Sequence, residues 1–162
     1  MYIDMGQTAE NLALLKGVTA PRWTNSPSAA RTSPKRPPPT ASSPGKSGVT
    51  GLSPELMGYG PVQASRQALA RAGMNIGDLD LVEINEAFAA QVIPSYRDLG
   101  IDPDTLNVHG GAIALGHPFG MSGARITGTL INGLRSTDGT LGLETMCVGG
   151  GMGMAMIIER LS

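Results

Sequence analysis

Between Glu10 and Glu55 the chain has no acidic residue, and Lys16, Arg22, Arg31, Lys35, Arg36 and Lys46 all fall there. From Ala20 to Ser47 it is mostly Pro, Ser, Ala, Thr, Arg and Lys, with Trp23 the one large apolar side chain. Such a tract cannot bury enough apolar surface to offset the entropy of ordering it, and residues 19–48 are read as a disordered basic segment. This leaves residues 49–162 to build a core, with residues 1–18 as a short separate piece. Because the whole chain is 41% hydrophobic but only 4% aromatic, that core is expected to be aliphatic and Met-rich. A formal net charge of -1 points to no nucleic-acid partner. No apolar run is long enough to span a bilayer, so no membrane partner is expected. One cysteine, Cys147, cannot make an internal disulfide, and the first residues lack a basic start and a long apolar run. These features predict a cytoplasmic location.

Past the tract the local pattern is α/β. Pro61 suits a first helical turn, and Val62, Ser65, Ala68, Leu69 and Ala72 make one small-to-apolar face before Gly73 ends it. Leu79 to Ile84 is the length of a buried strand and delivers Asn85 at its C-terminal end. Glu86 to Leu99 reads as a helix closed by Gly100, with Pro94 a kink or early stop. Asn107 to Gly120 reads as a glycine-punctuated loop. Ser122 is a good N-cap for a helix through Leu134, and Leu141 to Val148 and Gly153 to Glu159 read as two strands joined by a glycine turn.

The chemical groups each admit two readings. His117, between Gly116 and Pro118, is either a plain loop residue or a proton-transfer group with a near-neutral pKa. Cys147 is either inert core or an acid/base thiol. Asn85 either caps the helix expected to start at Glu86 or serves a site. Gly149, Gly150 and Gly151 are either a tight turn or backbone donors aimed at an oxyanion. His109 has no evident partner, and no His/Cys cluster has metal-ligand spacing.

Four segments occur together: Asn85-Glu86-Ala87-Phe88, the run from Asn107 to Pro118, Gly120-Met121-Ser122-Gly123-Ala124-Arg125, and Cys147-Val148-Gly149-Gly150-Gly151. In order and spacing they resemble the C-terminal part of the thiolases, acyl-CoA acyltransferases of fatty-acid metabolism and β-oxidation. Asp4 to Ala13 is similar to a thiolase segment nearer the N-terminus, so residues 1–18 read as a remnant of the N-terminal domain and 49–162 as a partial C-terminal domain. The resemblance implies a mixed sheet with helices, acyl-CoA and CoA as substrates, no cofactor, and homo-oligomers among intact members. It also implies that His117 activates the nucleophilic thiol and, with a water held by Asn85, stabilises the thioester oxyanion. Cys147 would move the proton at the substrate α-carbon, Gly149 would donate its N–H to a second oxyanion hole, and Phe88 would line the pantetheine path. Where the family pattern carries Asn, this chain carries His109.

The family uses two cysteines, and the one without a counterpart here is the nucleophile. One thiol cannot hold an acyl group and deprotonate the second substrate together, so the chain is expected to be inactive alone. The legible strands correspond to the last three of a five-stranded sheet, and unpaired strand edges argue against a stable monomer. The basic tract has three readings. It is a plain linker; or an interaction module, through the polyproline-type ligand Pro34 to Pro39 or a basic patch; or a frameshifted stretch. The neighbouring frame can encode Met-Asp-Glu-Phe-Ala-Val-Arg-Ser-Gln without a forced mismatch, which resembles a thiolase helix and favours the frameshift. A non-catalytic subunit that docks onto a full-length thiolase is a further alternative.

Overall fold

The computed structural model describes residues 4–18 and 47–161. All three readings of the basic tract fall on residues outside those described, except at the tract's end. Ser47 and Gly48, assigned to the tract from sequence, already belong to the first strand. In chain order the elements are α1 (Met5–Lys16), β1 (Ser47–Gly51), α2 (Gly60–Ala72), β2 (Leu81–Ile84), α3 (Ala89–Leu99), α4 (Ala112–Leu115), α5 (Ser122–Ser136), β3 (Leu141–Val148) and β4 (Met152–Glu159).

The four strands form one mixed sheet in the order β1-β4-β3-β2. β2 runs parallel to β3, while β4 is antiparallel to both β3 and β1. Three strands were expected, and β1 is the addition. Its sequence, Ser-Gly-Val-Thr-Gly, offers a single apolar side chain and so has no alternation to detect. It pairs by backbone alone, with Val49 opposite Met154.

Burial follows the strand period. Leu143 of β3, Val82 and Ile84 of β2, and Ala155 and Ile157 of β4 face a core completed by Val62, Ala68 and Leu69 of α2 and Val92 and Ile93 of α3. On the opposite face, Leu130 and Leu134 of α5 pack against Leu81. Gly73 and Gly100 end α2 and α3 in the left-handed conformation, where the sequence placed the helix ends. α3 starts three residues later than expected, at Ala89, because Glu86 is drawn into side-chain bonds with the following loop. Pro94 lies within α3 and does not stop it.

The N-terminal piece is docked on this core. α1 is capped by the Asp4 carboxylate, which accepts from Gly6 N at 2.9 Å, and it buries Thr8, Ala9 and Leu12. Lys16 pairs with Asp98 at the end of α3, and the same carboxylate accepts from the Tyr59 hydroxyl at 2.6 Å. The Lys16 ammonium also lies 4.6 Å from the centre of the Tyr59 ring.

α2 approaches β4 backbone to backbone. A Cβ on Gly153 would sit 2.1 Å from the Gly60 carbonyl oxygen, and one on Gly60 would sit 2.5 Å from that of Met152. No flexible side chain is available to yield there. Gly153→Ala is therefore expected to destabilise the fold by about 1–3 kcal/mol, read as a lower urea midpoint at unchanged slope. Gly149→Ala meets nothing within 4 Å and should stay within about 0.5 kcal/mol of the parent.

Candidate active site

The C-terminal ends of the parallel strands β2 and β3 lie side by side, with Ile84 in register with Thr145 and Asn85 N bonded to Thr145 O at 2.9 Å. Alternation sends Leu81, Glu83 and Asn85 to the α5 side of the sheet. Thr145 and Cys147 share the other side, where Thr145 Oγ1 meets the Pro61 carbonyl.

The loop from Asn107 to Met121 is tied to the end of β2 by one amide and one carboxylate. Asn107 Oδ1 accepts from Ile84 N at 2.9 Å, and its Nδ2 donates to Ile84 O at 3.0 Å and to Glu86 Oε1 at 2.8 Å. Glu86 Oε2 accepts from Ile113 N at 3.0 Å, the first turn of α4, an element that the sequence left inside a loop. A Cβ on Gly111 would fall within 2.5 Å of the Glu86 carboxylate, so a side chain there would displace the group that ties the loop to β2.

The loop delivers His117 to Asn85. Asn85 Nδ2 is 3.3 Å from His117 Nε2 and 3.5 Å from Nδ1, while His117 Nδ1 is 2.5 Å from Ser122 Oγ. The Ser122 hydroxyl donates its one proton to Pro118 O at 3.1 Å, leaving its oxygen to accept from Nδ1–H. That assignment leaves the lone pair on Nε2, facing the Asn85 amide. Burial, and then the Arg125 charge, hold the His117 pKa below its usual value, so the ring is neutral at pH 7. Phe119 packs edge-on against it, ring centres 5.1 Å apart.

Behind Asn85 lies a charge cluster. Arg125 NH2 donates to Asn85 Oδ1 at 3.4 Å, and NH1 stands 3.6 Å from Glu83 Oε2. Burial pushes the Glu83 pKa up to about 8; Arg125 opposes the rise, and Glu86 and Glu144 add to it. Glu144 is itself raised by burial while accepting from Thr127 Oγ1 at 2.7 Å.

The other sequence candidates are placed as follows. Cys147 is buried near the end of β3, and burial raises its pKa to about 11. Among the described residues, no hydrogen bond links its thiol to His117 or Asn85. Gly149 is exposed in the β3–β4 turn, where Gly150 and Gly151 both have φ of +86°. Phe88, 36% exposed, sits at the N-cap of α3. Of the two readings of Asn85, capping is excluded, since the N-cap of α3 is Phe88. One expectation is corrected: Ser122 is not the N-cap of α5 but its first residue, its hydroxyl engaged with Pro118 and His117. His109 has a partner after all, Ser136 Oγ at 3.2 Å. Sequence reasoning assigned no role in the site to Ser122, Arg125, Glu83 or Asn107. The i, i+3 spacing of Ser122 and Arg125 at a helix start places both on one face and was the available signal. Among the described residues, no group of acidic, His or Cys side chains could hold a metal ion. No helix there is long and apolar enough to cross a membrane.

Residues 41–160 match the family described as the thiolase C-terminal domain. The chain belongs to the thiolase family. It is 57% identical over 112 residues to an acetyl-CoA acetyltransferase of Paracoccus denitrificans, a match covering 69% of this chain and 29% of the relative. It is 56% identical over 116 residues to a 3-ketoacyl-CoA thiolase of Shewanella frigidimarina, covering 70% and 30%. The crystal structure of human mitochondrial 3-ketoacyl-CoA thiolase in complex with CoA superposes with a TM-score of 0.70 at 48% identity, over 72% of this chain and 29% of that one. The thiolase segment thus spans about 30% of the length of the relatives it matches.

The buried Glu83 gives this segment a distinctive pH response. A carboxyl ionising near 4.5 when unfolded and about 8 when folded binds more protons folded than unfolded between those values. Stability is therefore full below about pH 4.5 and falls as pH rises towards 8. In Glu83→Gln that fall should disappear, leaving the variant more stable than the parent above about pH 8 by an amount on the order of a few kcal/mol. Urea unfolding at pH 5 and pH 8.5 would show equal slopes with pH for both proteins if Glu83 were not the group.

Proposed function

We propose that Asn85, His117, Cys147 and Gly149 form the acid/base and oxyanion part of a thiolase site, lacking the thiol that carries the acyl group. The observation that supports this most directly is the pairing of Asn85 Nδ2 with a neutral His117 held from behind by Ser122. In thiolysis of a 3-ketoacyl-CoA, a thiolate adds to the C3 carbonyl and the C2–C3 bond breaks. The acetyl-CoA carbanion then takes a proton, and CoA releases the acyl group as a new thioester. The Asn85 amide and the Gly149 N–H are the donors for the two carbonyl oxygens, and Phe88 flanks the pantetheine.

Cys147 suits the proton-donor role better than the nucleophile's. With its pKa at about 11, only about one thiol in ten thousand is ionised at pH 7. Were it acylated, no thiol would remain to serve the carbanion. The 162 residues contain no second cysteine, so the chain alone binds the thioester without completing turnover.

The test is to add acetyl-CoA to the chain and follow the His117 ring and Asn85 side-chain amide signals by NMR, with a parallel assay of acetoacetyl-CoA thiolysis. Movement of both sets of signals, with no thiolysis above the Cys147→Ser background, is expected. Unmoved signals would sink the site. Thiolysis that Cys147→Ser abolishes would sink the division of labour between two thiols.

A second reading, a non-catalytic subunit docked on a full-length thiolase, is favoured by the open half of the sheet. α5 covers β2 and β3, whereas on the same face Val49 of β1 and Met154 of β4 are 56% and 47% exposed, flanked by Met152 and Met156. A row of apolar side chains this open is a docking surface in kind. Co-purification with an intact thiolase, lost on Met154→Glu, distinguishes this reading from the first.

A further inference from the structure

Arg125 stands in an unusual position for a buried cation. Its side chain is 11% exposed, and neither NH1 nor Nε has a hydrogen-bond partner among the described residues. The carboxyl beside it, Glu83 Oε2, is also without one, and at 3.6 Å from NH1 it makes no hydrogen bond with the guanidinium. The hydrogen bond that the guanidinium does make is to Asn85 Oδ1, at 3.4 Å through NH2. An Asn amide presents an oxygen on one side and an NH2 on the other, and a half-turn about its last bond exchanges them. A cation at Oδ1 removes that freedom, because the flipped amide would aim its NH2 at the guanidinium. With Oδ1 so anchored, Nδ2 faces His117.

We propose that Arg125 is the positioning residue of this site: its guanidinium fixes the Asn85 amide so that Nδ2 points at His117. The inference rests on the thiolase reading of the Asn85–His117 pair for its functional meaning, but its geometry stands apart from that reading. The charged and titratable groups around the cluster come from every packed element: Glu83 from β2, Glu86 from the turn after it, Glu144 from β3 and His117 from the loop. Glu83 is largely protonated near neutrality, so it leaves most of the Arg125 charge uncancelled. This is why the effect is assigned to Arg125 and not to an Arg125–Glu83 pair.

The experiment compares Arg125→Met, Arg125→Lys and Glu83→Gln in the full chain by NMR, following the His117 ring through a pH titration and the two Asn85 Nδ2–H signals at fixed pH. Arg125→Met is expected to raise the His117 midpoint and to draw the Asn85 signals together towards free-amide positions. Arg125→Lys restores the midpoint, since the charge returns, but not the Asn85 splitting, since a point charge lacks the planar fork. Glu83→Gln leaves both unmoved at neutral pH. An Arg125→Met protein with parental His117 and Asn85 signals overturns the proposal, as does a Glu83→Gln change as large as that of Arg125→Met. Should Arg125→Met not fold, Asn85→Ala is read instead through the Arg125 Nη–H signals. Those signals shift if Asn85 Oδ1 is their acceptor, and unshifted signals overturn the proposal. Acetyl-CoA added to the same samples separates the two readings: the Arg125→Met shifts without acetyl-CoA binding would support the positioning role and remove only the thiolase function.

Discussion

The candidate site hangs on the Asn107 side chain. A parallel strand at the edge of a sheet leaves its outer N–H and C=O groups without partners, and β2 is such a strand. Asn107 closes that edge: its own N donates to Val82 O at 2.9 Å, and its amide both accepts from and donates to the backbone of Ile84. In effect one side chain stands in for the next residue of a missing neighbouring strand. Asn107 adopts φ of 48°, a left-handed conformation that Asn tolerates better than most residues, and this turns the amide back onto β2. Since Asn85 is the residue after Ile84, and Glu86 takes the remaining N–H of the same amide, the loop that carries His117 is positioned by the group that finishes the strand.

Electrostatics on the α5 side of the sheet follow from burial more than from pairing. Glu83, Glu144 and Arg125 crowd one dry region, where burial raises the pKa of both carboxyls. A largely protonated Glu83 leaves the field of the guanidinium charge acting on Asn85 and His117. A tightly bonded Glu83–Arg125 pair would have spent that field locally. The 3.6 Å separation from Glu83 and the unpartnered Nε and NH1 are therefore consistent with a cluster arranged around Asn85, at some expense in hydrogen bonding.

The parts of the fold that sequence made legible are those with strong periodicity or punctuation. β3 begins and ends where its apolar run does, β4 starts one residue early, and Gly73 and Gly100 stop their helices. The start of α3 was misplaced because Asn85 and Glu86 look like helix-starting residues by local rules. Tertiary bonds to the loop that carries His117 claim Glu86 first, and Asn85 is claimed by His117. β1 left no trace, since a strand that pairs by backbone alone needs no alternation of side chains. At the site, Asn85 and His117 could be singled out by residue type, and the structure puts them together. The i, i+3 spacing put the supporting Ser122 and Arg125 on one face, but their roles, like that of Asn107, depend on which backbone group or side chain lies opposite, and that is fixed only once β2, α5 and the loop have met.

Burial acts with opposite signs on the two titratable groups of the proposed chemistry. For imidazole the charged form is the protonated one, so desolvation strips the proton and leaves a base at Nε2. For a thiol the charged form is the deprotonated one, so the same desolvation retains the proton and leaves an acid at Sγ. Burial thus prepares a base at His117 and an acid at Cys147 at neutral pH, and no hydrogen bond joins the two side chains among the described residues. The division also explains why Cys147 is a poor substitute for a second thiol. A nucleophile would need its pKa lowered, by a neighbouring cation or a helix N-terminus, whereas the end of β3 supplies neither and raises it. Conditions that suit Cys147 to hand a proton to a carbanion are those that prevent it from attacking a carbonyl, so the two roles call for thiols in different surroundings.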